Sequence, residues 1–450
     1  MTTAQPTTAP RLDRLPVTRL HRYLIAVVGV ATFFDLYDLF LASTVSTVLS
    51  KEFGVSSGEL KPLLASAFLG AVVGAVALGR LADRIGRRRA FLLTLGIYSI
   101  FTLLGAFSTD VWMLVACRFI AGIGIGAELP LADAYLADLL PSHARGRATA
   151  WAYTVGFCGV PVAGFLARGL VAHAPLGVDG WRWLFVVGAL GAAIVWILRA
   201  GLPESPRWLL AHGRHGDAED VIRRLERSAK ISLPELEKNH VVEAPTTQRF
   251  SSLLRAPWRR RTMMLYLFQV LQAFGYYGFG SLVPIILAAK GFDLTHSLTF
   301  SALTFLGYPI GSALSIPIME RIQRKWLIVG SASGMAVFGL AFGYSTTGVA
   351  ISILGFCYTA VSNVFSNAFH TYQAELFPTS LRATASGSAY SLSRLATAAM
   401  PFVLLPVLEN QGATGVFVIV AIAMAILIVD IAVLGPRTTG RTVEEISIRE

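Results

Sequence analysis

Read for hydropathy, the chain is a succession of apolar runs of about 20 residues, each long enough to cross a hydrocarbon core of about 30 Å as a helix. Twelve such spans are predicted, numbered here in chain order. Spans 1 to 6 cover 23–46, 62–80, 89–108, 111–136, 149–172 and 182–202. Spans 7 to 12 cover 261–288, 298–319, 326–345, 348–373, 385–408 and 415–435. The stretch 203–260 alone has a soluble composition, and its segment Ala218-Glu-Asp-Val-Ile-Arg-Arg-Leu-Glu repeats apolar residues at helical spacing. Short helices under the bundle are expected there, with an irregular, mobile region at 228–250. The predicted organisation is a leader at 1–22, a six-helix half at 23–202, a linker at 203–260, a second half at 261–435 and a tail at 436–450. The Thr- and Pro-rich 2–10 and the polar 436–450 are expected to be poorly ordered.

The two halves carry the same punctuation. Tyr135-Leu-Ala-Asp138-Leu-Leu-Pro141-Ser-His-Ala-Arg145 is echoed 237 positions later by Tyr372-Gln-Ala-Glu375-Leu-Phe-Pro378-Thr-Ser-Leu-Arg382. The same shift relates Asp83-Arg84-Ile-Gly86-Arg87-Arg88 to Glu320-Arg321-Ile-Gln-Arg324-Lys325, and Gly70 and Gly74 to Gly307 and Gly311. Two motifs at one offset imply a parallel internal duplication. In a membrane chain, that implies a carrier with its site between two similar halves.

Composition narrows the class further. Of 450 residues 54% are apolar and 14% charged, against about 25% charged in a soluble domain, and the mean hydropathy is +0.61. The formal charge of +11 lies mainly in short loops after spans 2, 4, 8 and 10. This is the positive-inside pattern, which puts both termini in the cytoplasm and gives no reason to expect a nucleic-acid partner. Cys117, Cys158 and Cys357 are solitary within apolar segments, without metal or disulfide spacing. The first apolar run is too long for the core of a cleavable signal peptide. Gly122-Ile-Gly124-Ile-Gly126 lies inside span 4 with no strand before it, so it reads as close helix packing rather than a phosphate loop. No nucleophile–base set occurs, and neither cofactor, metal nor enzyme chemistry is expected.

The loop Gly79-Arg-Leu-Ala-Asp83-Arg84-Ile-Gly86-Arg87-Arg88-Arg89 resembles the signature of the major facilitator superfamily. Pro203-Glu204-Ser205-Pro206-Arg207-Trp208 resembles the mark of its sugar-porter and organic-ion branches, and Tyr372 to Arg382 is close to the organic-ion branch. The resemblance covers essentially the whole chain. It implies an all-α membrane protein of twelve helices in two pseudo-symmetric halves, working as a monomer by alternating access in a cell inner membrane. It also implies that Asp83, Arg84, Arg88, Asp138, Arg145, Glu204, Arg207, Glu320, Arg321, Glu375 and Arg382 form gating ion pairs that hold the halves together on the cytoplasmic side when the site faces out.

Charges inside a membrane are costly and are functional candidates by default. Span 1 holds Asp35 and Asp38, span 4 holds Arg118 and Glu128 with Asp133 nearer the inside, and span 11 holds Arg394. Counted from the outer helix ends at 1.5 Å per residue, Asp38 and Arg118 lie at similar depth. A carboxylate that either pairs with arginine or takes a proton suits proton coupling, and proton-coupled sugar porters resemble this arrangement. A static packing pair would use the same residues. Asp35 and Asp38, three apart, share one side of the helix and resemble the paired acids of aromatic-acid symporters. Leu36-Tyr37 stands where those proteins have a glycine-containing middle. Glu128 reads as a second protonation site or a packing partner.

Arg394 has no counterpart by duplication, since position 157 is Phe. A mid-membrane arginine between two halves suits a carboxylate, which it can hold through paired hydrogen bonds. Tyr37, Gln269, Gln272, Tyr276, Tyr277, Tyr358, Asn363, Asn367, His370 and Ser393 complete the candidate binding set, as aromatic walls with convergent polar groups. The function expected is proton-coupled uptake of a small organic anion such as nicotinate or a benzoate-like aromatic monocarboxylate. The alternatives are a proton-coupled sugar or polyol porter, favoured by Gln269 and Gln272, and an organic-cation or drug exporter using Asp35 or Asp38.

Overall fold

The computed structural model describes residues 8–230 and 250–438, and all regular structure among them is helical. In the first half the spans run Arg19–Thr44, Ser57–Ile85, Arg87–Ala106, Val111–Leu139, Ser142–His173 and Gly180–Ala200. In the second they run Arg259–Ala289, then Leu294–Phe305 continued by Gly307–Arg321, Arg324–Tyr344 and Gly348–Glu375. The remaining Thr379–Leu434 would be about 84 Å long as one straight helix, nearly three times the hydrocarbon thickness. Gly412 divides it. Its φ of 68° lies in the left-handed region, and a Cβ on Gly415 would come 3.2 Å from Cγ1 of Val407. Residues eight apart meet only if the chain reverses, so this segment supplies spans 11 and 12.

The duplication persists in the packing. A Cβ on Gly70 would lie 2.0 Å from the carbonyl oxygen of Phe119, and one on Gly74 1.9 Å from that of Ile123. In the second half Gly307 would meet Phe356 at 2.3 Å and Gly311 would meet Ala360 at 2.0 Å. The partners are themselves 237 positions apart. Only glycine lets these backbones approach so closely. Within Gly122 to Gly126 the outer two glycines face span 2, at Ala67 and Ala71, and Gly124 faces span 3 at Thr94.

Large apolar side chains such as Ile194, Ile197, Val337, Val349, Ile353 and Val433 are exposed on the outside of the bundle, where lipid covers them. This is a multi-pass membrane protein. The end at which span 1 begins is called the tail face below, and the opposite end the far face. The halves meet in the far part of the bundle, where a Cβ on Gly164 would lie 2.9 Å from that of Ala302. Phe40 packs on Tyr308, and nearer the tail face the hydroxyls of Thr154 and Ser312 are 2.9 Å apart.

The linker holds helices Pro206–Ala211 and His215–Ala229, the latter burying Ala218, Ile222 and Leu225 on one face. The expected irregular region lies mostly in 231–249, outside the described residues, as do 1–7 and 439–450. The leader departs from expectation. Thr8–Asp13 is helical, Leu12 and Leu15 are buried with Leu225, and Arg11 bonds Glu219 at 2.5 Å and Glu226 at 2.7 Å. Asp13 accepts the backbone N–H of Ser142 at 2.8 Å. Two leucines are too few to register as a period, and their charged partners lie more than 200 residues away.

Candidate functional site

Arg394 is 2% exposed, near the middle of span 11. Its guanidinium lies 4.7 Å from the ring centre of Tyr277 and 4.5 Å from that of Tyr390. Nη2 donates to the Tyr390 hydroxyl at 2.5 Å. Nε and Nη1 have no hydrogen-bond partner, and no carboxylate pairs with the group among the described residues. An arginine cannot shed its charge. Tyrosine faces offset part of the desolvation cost, but the site remains a buried cation with donors to spare.

Two adjoining cavities use this arginine as a common wall, together with Leu36, Leu129 and Tyr390. The smaller is apolar apart from Arg394, Tyr390 and Asp35 of span 1. The larger takes Tyr153 and Phe157 from the first half. From the second half it takes Tyr276, Tyr277, Ser366, Asn367 and His370. Local backbone features explain this lining. Span 7 opens into a wider π turn at Ala273–Tyr277, which turns two consecutive tyrosines to the cavity. The Gly275 carbonyl in that turn accepts the Tyr358 hydroxyl at 2.7 Å. In span 4, Pro130 removes the N–H that would bond the Gly126 carbonyl, one turn back on the cavity wall.

Of the residues singled out in the sequence, Arg394, Tyr276, Tyr277, Asn367, His370 and Asp35 thus converge. The others are placed elsewhere. Tyr37 donates to the Leu184 carbonyl at 3.0 Å within the first half. Tyr358 stacks on Phe279 at 4.0 Å, and the Asn363 amide bonds the Tyr308 carbonyl at 2.5 Å. Gln269 bonds Gln373 at 2.9 Å, and Gln272 bonds Ser393 at 2.6 Å. These amides satisfy one another beside the cavity rather than lining it. Tyr390 and Tyr153 are cavity residues to which the sequence reading gave no role. Tyr390 could have been found, since it precedes Arg394 by four residues and shares its helix face.

Four of the intramembrane charges form two closed pairs, while Asp430 of span 12 is buried with neither carboxylate oxygen bonded. Asp38 is 2.6 Å from Arg118 and also accepts from Thr102 at 3.1 Å. Glu128 is 2.6 Å from Arg199 and accepts from Thr94 at 2.7 Å. Arg199 escaped the sequence reading because it sits at the end of span 6, where an arginine reads as a topology signal. Asp133 is exposed on the tail side of the cavity and accepts from Tyr153 at 3.0 Å. Tyr153 in turn stacks on His370 of the other half.

On the tail face, the ion pairs formed between described residues lie within each half instead of joining the halves. Asp83 pairs with Arg87 at 2.6 Å. Glu204 accepts the backbone N–H groups of Arg87 and Arg88 at the start of span 3, where the helix dipole favours an anion. Gly86, at φ 100°, permits this: a Cβ there would lie 2.4 Å from a Glu204 oxygen. Asp138 accepts from Ser205 at 2.7 Å with Arg207 at 3.9 Å, and Glu375 pairs with Arg324 at 3.3 Å. The Arg88 side chain donates to the Ala200 carbonyl, and Arg145 to that of Leu140. Arg84 and Arg321 are exposed. The side chains of Glu320 and Arg382 lie outside those described.

Residues 23–449 match the family model described as sugar (and other) transporter. The niacin transporter NiaP of Acinetobacter baylyi is 30% identical over 444 residues, covering 97% of this chain and 99% of that protein. A gentisate transporter of Corynebacterium glutamicum is 31% identical over 373 residues, covering 82% and 77%. Among solved structures, the xylose transporter XylE of Escherichia coli in a partially occluded inward-open conformation superposes with a TM-score of 0.76. It is 20% identical, with 94% of this chain and 99% of that one covered.

Proposed function

The chain belongs to the sugar (and other) transporter family of the major facilitator superfamily, and from that premise we propose that it carries a small organic anion, an aromatic monocarboxylate such as nicotinate, in symport with protons. The observation that carries this reading is Arg394: a buried, permanently charged group with unused donors at Nε and Nη1, facing a cavity and lacking an acid partner among the described residues. Leaving a buried charge uncompensated costs several kcal/mol, and a substrate carboxylate recovers that loss where a neutral molecule does not. Tyr276, Tyr277 and Tyr390 supply flat apolar surface for a ring, and Asn367 and His370 offer polar contacts at its other end. The names of the niacin and gentisate relatives agree with an aromatic acid. The family is one of transporters, not enzymes.

In this reading the tail face is cytoplasmic, the membrane is a cell inner membrane, and the conformation is closed at the far side and open towards the tail. Far-side packing through Gly164, Ala302, Phe40 and Tyr308 joins the halves, while the tail-face pairs hold each half internally. Transport exchanges these contacts for their opposites. An acid of span 1 takes the proton. In proteoliposomes with an imposed proton gradient, uptake of labelled nicotinate should be inhibited by benzoate and gentisate, and by neither nicotinamide nor glucose. Uptake of glucose, unaffected by the acids, would instead support the sugar reading, which the family description and the amides Gln269 and Gln272 keep in play.

A further inference from the structure

The larger cavity has a second polar end, at Asn367 of span 10, which lines it and is 8% exposed. Spans 10 and 11 meet the tail face at Glu375 and Thr379. At 1.5 Å per residue from those ends, Asn367 lies about 12 Å deep and Arg394 about 22 Å. The two stand at opposite ends of one cavity, a separation that a single aromatic ring with a polar group at each end can bridge.

The orientation of the Asn367 amide follows from counting hydrogens. The Thr154 hydroxyl is 2.9 Å from the Ala150 carbonyl, so its one hydrogen is spent there. The contact between the Thr154 and Ser312 hydroxyls, also 2.9 Å, therefore takes the hydrogen of Ser312. Ser315 spends its own on the Ser312 carbonyl at 2.7 Å. Both serine oxygens can then only accept. The Asn367 atom that lies 3.2 Å from Ser312 Oγ and 2.7 Å from Ser315 Oγ must be the donor, Nδ2. Both of its hydrogens are used on span 8, and Oδ1 is left to the cavity with no donor among the described residues.

We propose that Asn367 is a specificity-determining residue, whose fixed acceptor selects aromatic carboxylates that carry a hydrogen-bond donor, a hydroxyl or amino group, on the ring edge remote from the carboxylate. The inference rests on the organic-anion reading of the site and sharpens it. Arg394 at one end only donates. At the other end Asn367 Oδ1 only accepts, and so does the Tyr153 oxygen, whose hydrogen goes to Asp133 at 3.0 Å. Ser366 and His370 can each donate or accept, so they do not choose. An acid with a donor on its far edge satisfies both ends. Benzoate leaves Oδ1 unpaired. Nicotinate, whose unprotonated ring nitrogen is an acceptor, sets a second acceptor against it. Both still bind through Arg394, but less tightly, because a buried acceptor without a partner is costly.

The test compares binding of meta- and para-hydroxybenzoate with that of the matching fluorobenzoates, benzoate and nicotinate, to the purified full-length protein at neutral pH. Fluorine is close to a hydroxyl in size and donates nothing. In wild type the better hydroxy acid should bind about tenfold or more tightly than its fluoro counterpart and than nicotinate. Asn367→Leu, similar in shape, should bring the hydroxy-to-fluoro ratio to about one, whereas general damage would weaken all the acids alike and keep the ratio. Ser312→Ala combined with Ser315→Ala leaves Asn367 in place but frees its amide to turn. That variant should reduce the ratio as well, and it decides the matter if Asn367→Leu does not fold. A wild type without the preference, or a preference unchanged in either variant, overturns the assignment and leaves the organic-anion reading standing. If wild type binds glucose and no acid, the organic-anion reading itself falls, and this inference with it.

Discussion

At the scale of single residues, the two buried ion pairs differ from the free arginine in what their loss leaves behind. Removing Asp38 strands Arg118, which cannot lose its charge. Removing Arg118 strands a carboxyl group that can take a proton. Asp38→Ala should therefore destabilise the protein by about 3–5 kcal/mol, and Arg118→Leu by clearly less. Thermal unfolding in detergent would show this, and equal losses would mean that the pair is not the buried, closed unit described here. Asp35, Asp38, Glu128 and Arg394 were legible in the sequence because a charge in an apolar run stands out, although Asp430 of span 12, buried with neither carboxylate oxygen bonded, was passed over. Their partners were less so. Arg199 was hidden at a helix end, and Tyr358, Asn363 and the glutamines had been grouped with the cavity because polar and aromatic residues at similar depth look alike until helix rotation is known.

At the scale of elements, the duplicated glycines set how close span 2 comes to span 4, and span 8 to span 10. Gly74→Leu and Gly311→Leu each place a side chain where a backbone oxygen stands, at 1.9 Å and 2.0 Å from the new Cβ. Each should sharply reduce the folded yield, as read by monodispersity in detergent. Half-buried Gly79→Ala, with nothing within 4 Å of the new Cβ, should not. The leader offers a pH test. Arg11 holds the carboxyls of Glu219 and Glu226 below the usual range, mainly through its hydrogen bonds to them. Docking of the leader is therefore fully supported above the ordinary glutamate pKa and weakens as pH falls through the lowered values. Hydrogen exchange at 8–18 should speed up on acidification below that range, and in Arg11→Glu at neutral pH. Helix existence and order were legible because long apolar runs carry their own length signal. The leader helix was not, since its stability comes from distant contacts.

At the scale of the molecule, the duplicated halves meet through packing on the far side and again at the depth of the cavity, where Tyr153 stacks on His370. Thr154 and Ser312 bring opposite halves to 2.9 Å. With Cys117, Cys158 and Cys357 replaced, Thr154→Cys and Ser312→Cys together should form a disulfide under oxidation. Transport should stop and return on reduction. A crosslinked protein that still transports would show that the halves do not rock at this contact. The gate was the least legible feature: acids and bases recurring at helix ends predict ion pairs, but not whether they bridge two halves or brace one. In this conformation they brace. The central claim, however, is that an unpaired arginine between the halves selects an organic anion. It is tested most directly by measuring binding of nicotinate, benzoate, nicotinamide, glucose and an organic cation to wild type and to Arg394→Ala. The account predicts that wild type binds the two acids and not the amide. The variant should lose them by about a hundredfold or more, as expected for a charge-assisted contact in a buried site. Binding of glucose or the cation, unchanged in Arg394→Ala, would contradict it.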